Sequence, residues 1–120
     1  MMLRYSELTL TQKAFICNGC GGKGGWINPP EFLFHASCNH HDFNYWRGGT
    51  EEDRKAADDA FYEMMKVDIA EAKWYLKPHY HIWAYSYYKS VRLMGKKFFY
   101  YGEKPKDMVD LISEMQRSSL

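Results

Sequence analysis

Cys38-Asn39-His40-His41-Asp42-Phe43-Asn44-Tyr45, followed by the link Gly48-Gly49-Thr50 and by Asp58-Asp59-Ala60-Phe61-Tyr62, decides how this chain folds. Residues four apart share a helix face, so His41 and Tyr45 point the same way, with Asp42 turned about 100° from His41. Asp58, Phe61 and Met65 form one stripe in the same manner. An acid on an apolar stripe needs a partner, because burying a lone carboxylate is expensive. The link is so short that the two helices must be antiparallel neighbours. Counted outward from it, Tyr45, His41, Asp58 and Phe61 fall at comparable heights. The expected partner of Asp58 is therefore His41, with the Tyr45 hydroxyl as a second donor.

The flanking residues define the two helices. Asn28-Pro29-Pro30 suits a helix start, and Gly48-Gly49 a stop, which predicts a helix over Pro29–Arg47. Thr50 is an N-cap with three acids behind it, and the apolar spacing from Ala57 to Leu76 carries a second helix over Glu51–Lys77, stopped at Pro78. Here Asp53 and Arg54 read as solvated capping charges. Upstream, Cys17 to Gly25 holds five Gly in nine residues, which only a loop tolerates. Before it, Leu3, Leu8, Leu10 and Phe15 suggest a short amphipathic helix within Met1–Phe15. Downstream, an aromatic-rich segment from His79 to about Met94 reads as a third helix. Pro105 opens a short last one, with Met108, Leu111, Ile112 and Met115 on one face. Phe98 to Tyr101 shows no readable period. The fold class is all-α, with no strand expected.

The bounds agree. A chain of 120 residues fits a single domain, 1–120, and 46% hydrophobic residues suffice for a modest core. A net charge of +1 gives no field to draw the whole protein onto nucleic acid. The glycine loop lacks the Gly-Lys-Ser/Thr ending of a nucleotide loop. The first residues show no continuous apolar leader, so the expectation is a cytoplasmic protein or a mature secreted form. No apolar run is long enough to span a bilayer. Aromatic residues from Trp74 to Tyr88 read mainly as core. Lys89, Arg92, Lys96 and Lys97 beside them suit lipid phosphates.

The paired residues point to general-base chemistry. A histidine titrates near neutral pH, and a carboxylate behind the ring fixes its tautomer and stabilises the imidazolium as it forms. No Ser or Cys motif stands beside it as a nucleophile, so the natural nucleophile is water. Ester hydrolysis by water needs a holder for the developing oxyanion. A Gly-rich backbone can turn carbonyls inward, and the Asp42 carboxylate would complete a hard-oxygen site suited to calcium.

These motifs resemble the phospholipase A2 superfamily, in which a Gly-rich calcium loop precedes a helix bearing Cys-x-x-His-Asp-x-x-Tyr. That helix motif is intact here as Cys38, His41, Asp42 and Tyr45, and the loop motif Gly-x-Gly-Gly is matched by Gly22-Lys23-Gly24-Gly25. The family's Asp three residues before a Phe is matched by Asp58 and Phe61. The stretch around them is similar to the bacterial and fungal branch. The resemblance covers about Cys17 to Met65. It implies calcium-dependent hydrolysis of the sn-2 acyl ester of phospholipids, with a phospholipid or membrane surface as partner. By it, His41 activates water, Asp58 and Tyr45 support it, and Asp42 binds calcium with backbone carbonyls near Cys20, Gly22 and Gly24. It also implies a Cys20–Cys38 bridge, with Cys17 left over. The family's loop Cys adjoins the Gly-x-Gly-Gly, whereas Gly21 separates Cys20 from it here. The register of the calcium ligands is therefore open by one residue. Most of the family's other cysteines are absent.

Two other readings compete. A structural zinc site on Cys17, Cys20, Cys38 and His40 (or His41) has tolerable ligand spacing and makes the chain an interaction domain. It accounts for the third cysteine but leaves Asp42, Tyr45 and Asp58 without a role. An inactive phospholipase A2-like binding module keeps the fold and loses the chemistry.

Overall fold

The computed structural model describes residues 2–17 and 31–119, the side chains of 31 and 32 excepted. Five helices carry them: α1 (Leu10–Ile16), α2 (Glu31–Arg47), α3 (Glu51–Ala70), α4 (Lys77–Met94) and α5 (Met108–Ser118), with short 3-10 turns at Tyr5–Glu7 and Gly95–Lys97. Among the described residues there is no β-strand, only an isolated bridge from Gly49 to Tyr101. The fold is all-α, as the periodicity predicts. The Asn28-Pro29-Pro30 start and the glycine loop lie outside the described residues.

The α2–α3 turn forms for the reasons the sequence supplies. Gly48 and Gly49 take positive φ angles of 71° and 134°, a region that side-chain-bearing residues rarely enter. Thr50 caps α3 by accepting from the Asp53 amide, and Asp53 accepts from the Thr50 amide in return. The pair runs antiparallel: Tyr45 meets Asp58 near the turn, and Ser37 meets Asp68 farther out. α4 continues the hairpin on the other side of α3, with Arg54 reaching Val91, Asp59 reaching Tyr88, and Tyr62 beside Tyr85.

One apolar cluster fills the space among the three helices, with Phe34 from α2, Phe61, Met65 and Ile69 from α3, and Ala84 and Tyr87 from α4. A second lies behind α2, where Phe43 meets Leu3, Leu8, Ile16 and Leu111. His41 sits on the same helix as Phe34 and Phe43, which belong to the two clusters.

Several bounds differ from the expected ones. The second helix ends at Ala70 rather than Lys77, although the residues beyond are good helix formers. Residues 71–76 turn instead, so that α4 can fold back onto α3, and Ala72 and Leu76 still pack against the core from that turn. Pro78 does not stop a helix; it lies in the first turn of α4, where its missing N–H costs nothing. The N-terminal stretch is a 3-10 turn plus a seven-residue helix. Leu3 and Leu8 are buried, but Leu10 is 84% exposed, and Ile16 fills the core in place of Phe15. The last helix begins at Met108 behind an Asp107 cap rather than at Pro105, and buries Leu111 while Ile112 faces out. The aromatic tract divides: Tyr80 and Tyr87 are core, whereas Trp74, Tyr75 and Tyr85 are exposed.

Candidate active site

His41 lies on α2 three turns beyond Glu31, and Asp58 two turns into α3. The expected hydrogen bond joins them: His41 Nε2 lies 2.8 Å from Asp58 Oδ1. The Tyr45 hydroxyl donates to the same oxygen at 2.6 Å. Asp58 is 0% exposed, so its charge is met by protein groups alone. A carboxylate only accepts, which puts the proton of neutral His41 on Nε2 and leaves Nδ1 as the ring's acceptor. Phe61 stacks on the His41 ring at 4.4 Å, and Tyr45 tilts against it at 4.2 Å. Burial holds the imidazole below the ordinary histidine range, against the opposing pull of the Asp58 hydrogen bond and charge; the Arg54 guanidinium adds to the lowering. Burial and the bond to Asp58 hold the Tyr45 phenol strongly protonated.

The other oxygen of Asp58 is held by arginines that the motif does not contain. Arg92, on α4, donates from Nη1 to Oδ2 at 2.7 Å. Arg54, one helical turn before Asp58, stands 3.5 Å from Oδ2. It spends its hydrogen bonds on Glu51 and on the Val91 carbonyl. Arg54 is 1% exposed, so its reading as a solvated capping charge is wrong; Asp53 does cap the helix, from a half-buried position. The spacing carried the signal, since Arg54 continues the stripe of Asp58, Phe61 and Met65 one turn back. In the sequence Arg92 reads with Lys89, Lys96 and Lys97 as a charge for lipid phosphate, and its position offers no hint of Asp58.

Gly95 stands against the Tyr45 ring. A Cβ on it would stand 2.3 Å from the Tyr45 hydroxyl, so only glycine lets the end of α4 approach this closely. Phe99 then packs edge-on to Tyr45 at 5.2 Å.

Asp42 follows His41 and is half-buried. Its neighbourhood is set by Cys17, which donates its thiol proton to the Asn39 carbonyl at 3.3 Å. Burial and the Asp42 carboxylate push that thiol up to about 11, with Lys13 opposing. The end of α1 at Cys17 therefore lies beside Asp42. The Asp42 carboxylate is a hard oxygen donor, which fits calcium in its chemistry. Cys20, Gly22 and Gly24, the expected carbonyl ligands, lie outside the described residues.

The described members of the zinc set do not converge. Cys17 is a free thiol, Cys38 is disulfide-bonded, and His40 lies tilted against the Tyr5 ring at 3.9 Å. No group of three or more His, Cys, Asp or Glu suited to a metal forms among the described residues. Cys20, the bridge partner that the resemblance implies for Cys38, is again outside them. No helix among the described residues is long and apolar enough to cross a membrane.

Comparison with curated proteins and with solved structures finds no match. A family model does match, that of the prokaryotic phospholipase A2, over residues 6–95. This exceeds the Cys17–Met65 stretch that carries the motifs and takes in the whole of α4, with Arg92 and Gly95. Matching three quarters of the chain, with an all-helical fold, it shows that the protein belongs to the prokaryotic phospholipase A2 family, whose chemistry is the hydrolysis of phospholipids.

Proposed function

We propose that this chain acts as one domain, a calcium-dependent phospholipase A2 that degrades lipid by hydrolysing the sn-2 acyl ester with a water activated by His41. The observation that carries the reading is the 2.8 Å contact of His41 Nε2 with a fully buried Asp58. It commits one ring nitrogen to donation and leaves the other to take a proton from water. Burial keeps the ring neutral near physiological pH, as a base must be. When the water attacks the ester carbonyl, its proton passes to Nδ1, and the Asp58 charge offsets the imidazolium formed. The ring then returns that proton to the departing alkoxide. Tyr45 donates to the same Asp58 oxygen throughout.

Asp42, with carbonyls near Cys20, Gly22 and Gly24, would hold the calcium. Bound there, the ion supplies Lewis-acid stabilisation of the oxyanion and a contact for the substrate phosphate. With one charged ligand, the affinity is expected in the weak range of roughly 10⁻⁴–10⁻³ M.

The test is hydrolysis of a fluorogenic diacyl phospholipid with calcium and with chelator. His41→Gln should lower the rate by roughly two to four orders of magnitude and leave helicity unchanged. Asp42→Ala should abolish the calcium-dependent rate. Full activity in His41→Gln, or hydrolysis indifferent to both chelator and Asp42→Ala, would overturn the reading.

A further inference from the structure

We propose that Arg92 is a positioning residue for this hydrolysis: its guanidinium, reaching from α4, locks the rotation of the Asp58 carboxylate so that Oδ1 stays aimed at His41 and Tyr45. The inference rests on the functional reading above and extends it to a helix that carries none of the motif.

A carboxylate turns about a broad, roughly two-fold torsion. Two donors on Oδ1, His41 Nε2 at 2.8 Å and Tyr45 at 2.6 Å, hold one oxygen but leave the group free to pivot about it. Arg92 Nη1 pins the second oxygen at 2.7 Å. Arg54 does not duplicate that bond. At 3.5 Å it gives Oδ2 charge without a hydrogen bond, and its Nε and Nη2 are forked onto Glu51 at 2.7–3.1 Å. The two arginines thus divide the work. Arg54 balances charge inside the core. Arg92, with its side chain 24% exposed, contributes direction, since a charge-assisted bond is short and angle-sensitive.

The arrangement also ties α4 to the pair from both ends of the carboxylate. Arg92 takes Oδ2 directly. Gly95, three residues on, shapes the seat of the Tyr45 hydroxyl that takes Oδ1. A shift of α4 along α3 would move both contacts at once, and the aim of His41 with them.

The experiment compares Arg92→Gln and Arg92→Lys in the wild-type and Asp58→Asn backgrounds. Initial rates on phospholipid dispersions with calcium give kcat and KM. The Nε2 proton resonance of His41, in ¹⁵N-labelled protein, reports the bond to Asp58 without any turnover. Arg92→Gln should lower kcat by roughly ten- to a hundredfold, the scale of losing an outer-shell hydrogen bond, with KM within about twofold. It should broaden or shift the His41 proton resonance. Arg92→Lys should recover part of both. In Asp58→Asn the same substitution should have no further effect, which a general structural role would not produce. An unchanged kcat and resonance in folded Arg92→Gln would overturn the proposal, as would an equal loss in the Asp58→Asn background. Should Arg92→Gln not fold, Arg92→Lys decides alone: a resonance and kcat identical to wild type refute directional control, and a partial loss supports it. If the wild-type protein shows no phospholipase activity, the functional reading fails, while the resonance still tests whether Arg92 aims Asp58.

Discussion

Replacing Gly95 by alanine should destabilise the protein, against the local preference of the backbone. Gly95 sits at φ −69°, ψ −18°, which alanine adopts readily, and on an open surface the change stabilises by about 0.5–1 kcal/mol. Here the new Cβ would lie 2.3 Å from the Tyr45 Oη and 3.1 Å from its Cε2 and Cζ. The tyrosine has little room to retreat between Phe99 at 5.2 Å and His41 at 4.2 Å. Its hydroxyl must therefore leave Asp58, and a hydrogen bond to a charged group contributes about 1.5–3 kcal/mol. Set against the alanine gain, the net loss is about 1–2 kcal/mol. With an unfolding entropy near 2.1 cal/mol/K per residue, Tm should fall by roughly 4–8 °C. In Tyr45→Phe the oxygen that collides is gone, and Gly95→Ala should then cost no more than about 0.5 kcal/mol, within the additivity error of such measurements. Urea unfolding of the four proteins, followed by circular dichroism, measures the coupling. A stabilising Gly95→Ala, or two substitutions whose effects simply add, would refute the close contact as the cause.

Two further outcomes follow from the charge cluster. Arg54→Met strips a buried cation from between Glu51 and Asp58 and should cost about 3–5 kcal/mol in denaturant unfolding; a loss under about 1 kcal/mol would show that Arg92 suffices alone. Hydrogen bonds from Arg54 and Tyr101 hold the Glu51 carboxyl at about 2, below its ordinary 4.5. A depressed folded value gives stability that is full above pH 4.5 and is lost as pH falls toward 2. Glu51→Gln should therefore flatten the acid limb of the stability curve in that window, and an unchanged limb would contradict the assignment.

The pairing at the centre was legible because it is local. His41, Tyr45, Asp58 and Phe61 sit on two helices joined by three residues, so helical period and a turn count suffice to bring them together. Arg54 is within reach of the same reasoning: although it lies in the first turn of α3, its side chain belongs to the buried stripe. Arg92 and Gly95 were beyond it. Their contacts depend on where α4 crosses α3, which turns on the early end of α3 at Ala70. Helix propensity favours continuing through residues 71–76, and tertiary packing of Tyr80, Ala84, Tyr87 and Val91 overrides it. The N-terminal segment departs from its pattern for the same reason: Leu10 is exposed, and Leu3, Leu8 and Ile16 fill the space against Phe43.

The segment after α4 returns to the turn between the two site helices. Tyr100 donates its amide to the Tyr45 carbonyl at 3.2 Å and accepts from Gly49 at 2.9 Å, and Gly102 donates to Gly49 at 3.1 Å. Arg92 meets Asp58 across 34 residues of sequence, whereas His41 meets it across 17. On a ribosome the hairpin of α2 and α3 therefore emerges and can close first, while the strap on its turn and the arginine on its carboxylate arrive later, seconds behind at about 5–20 residues per second. A nascent chain halted before Arg92 would hold His41, Tyr45 and Asp58 at the right heights on two helices, with the second oxygen of Asp58 lacking its hydrogen bond from Arg92. The order of synthesis thus delays the finished site until the last third of the chain has been made.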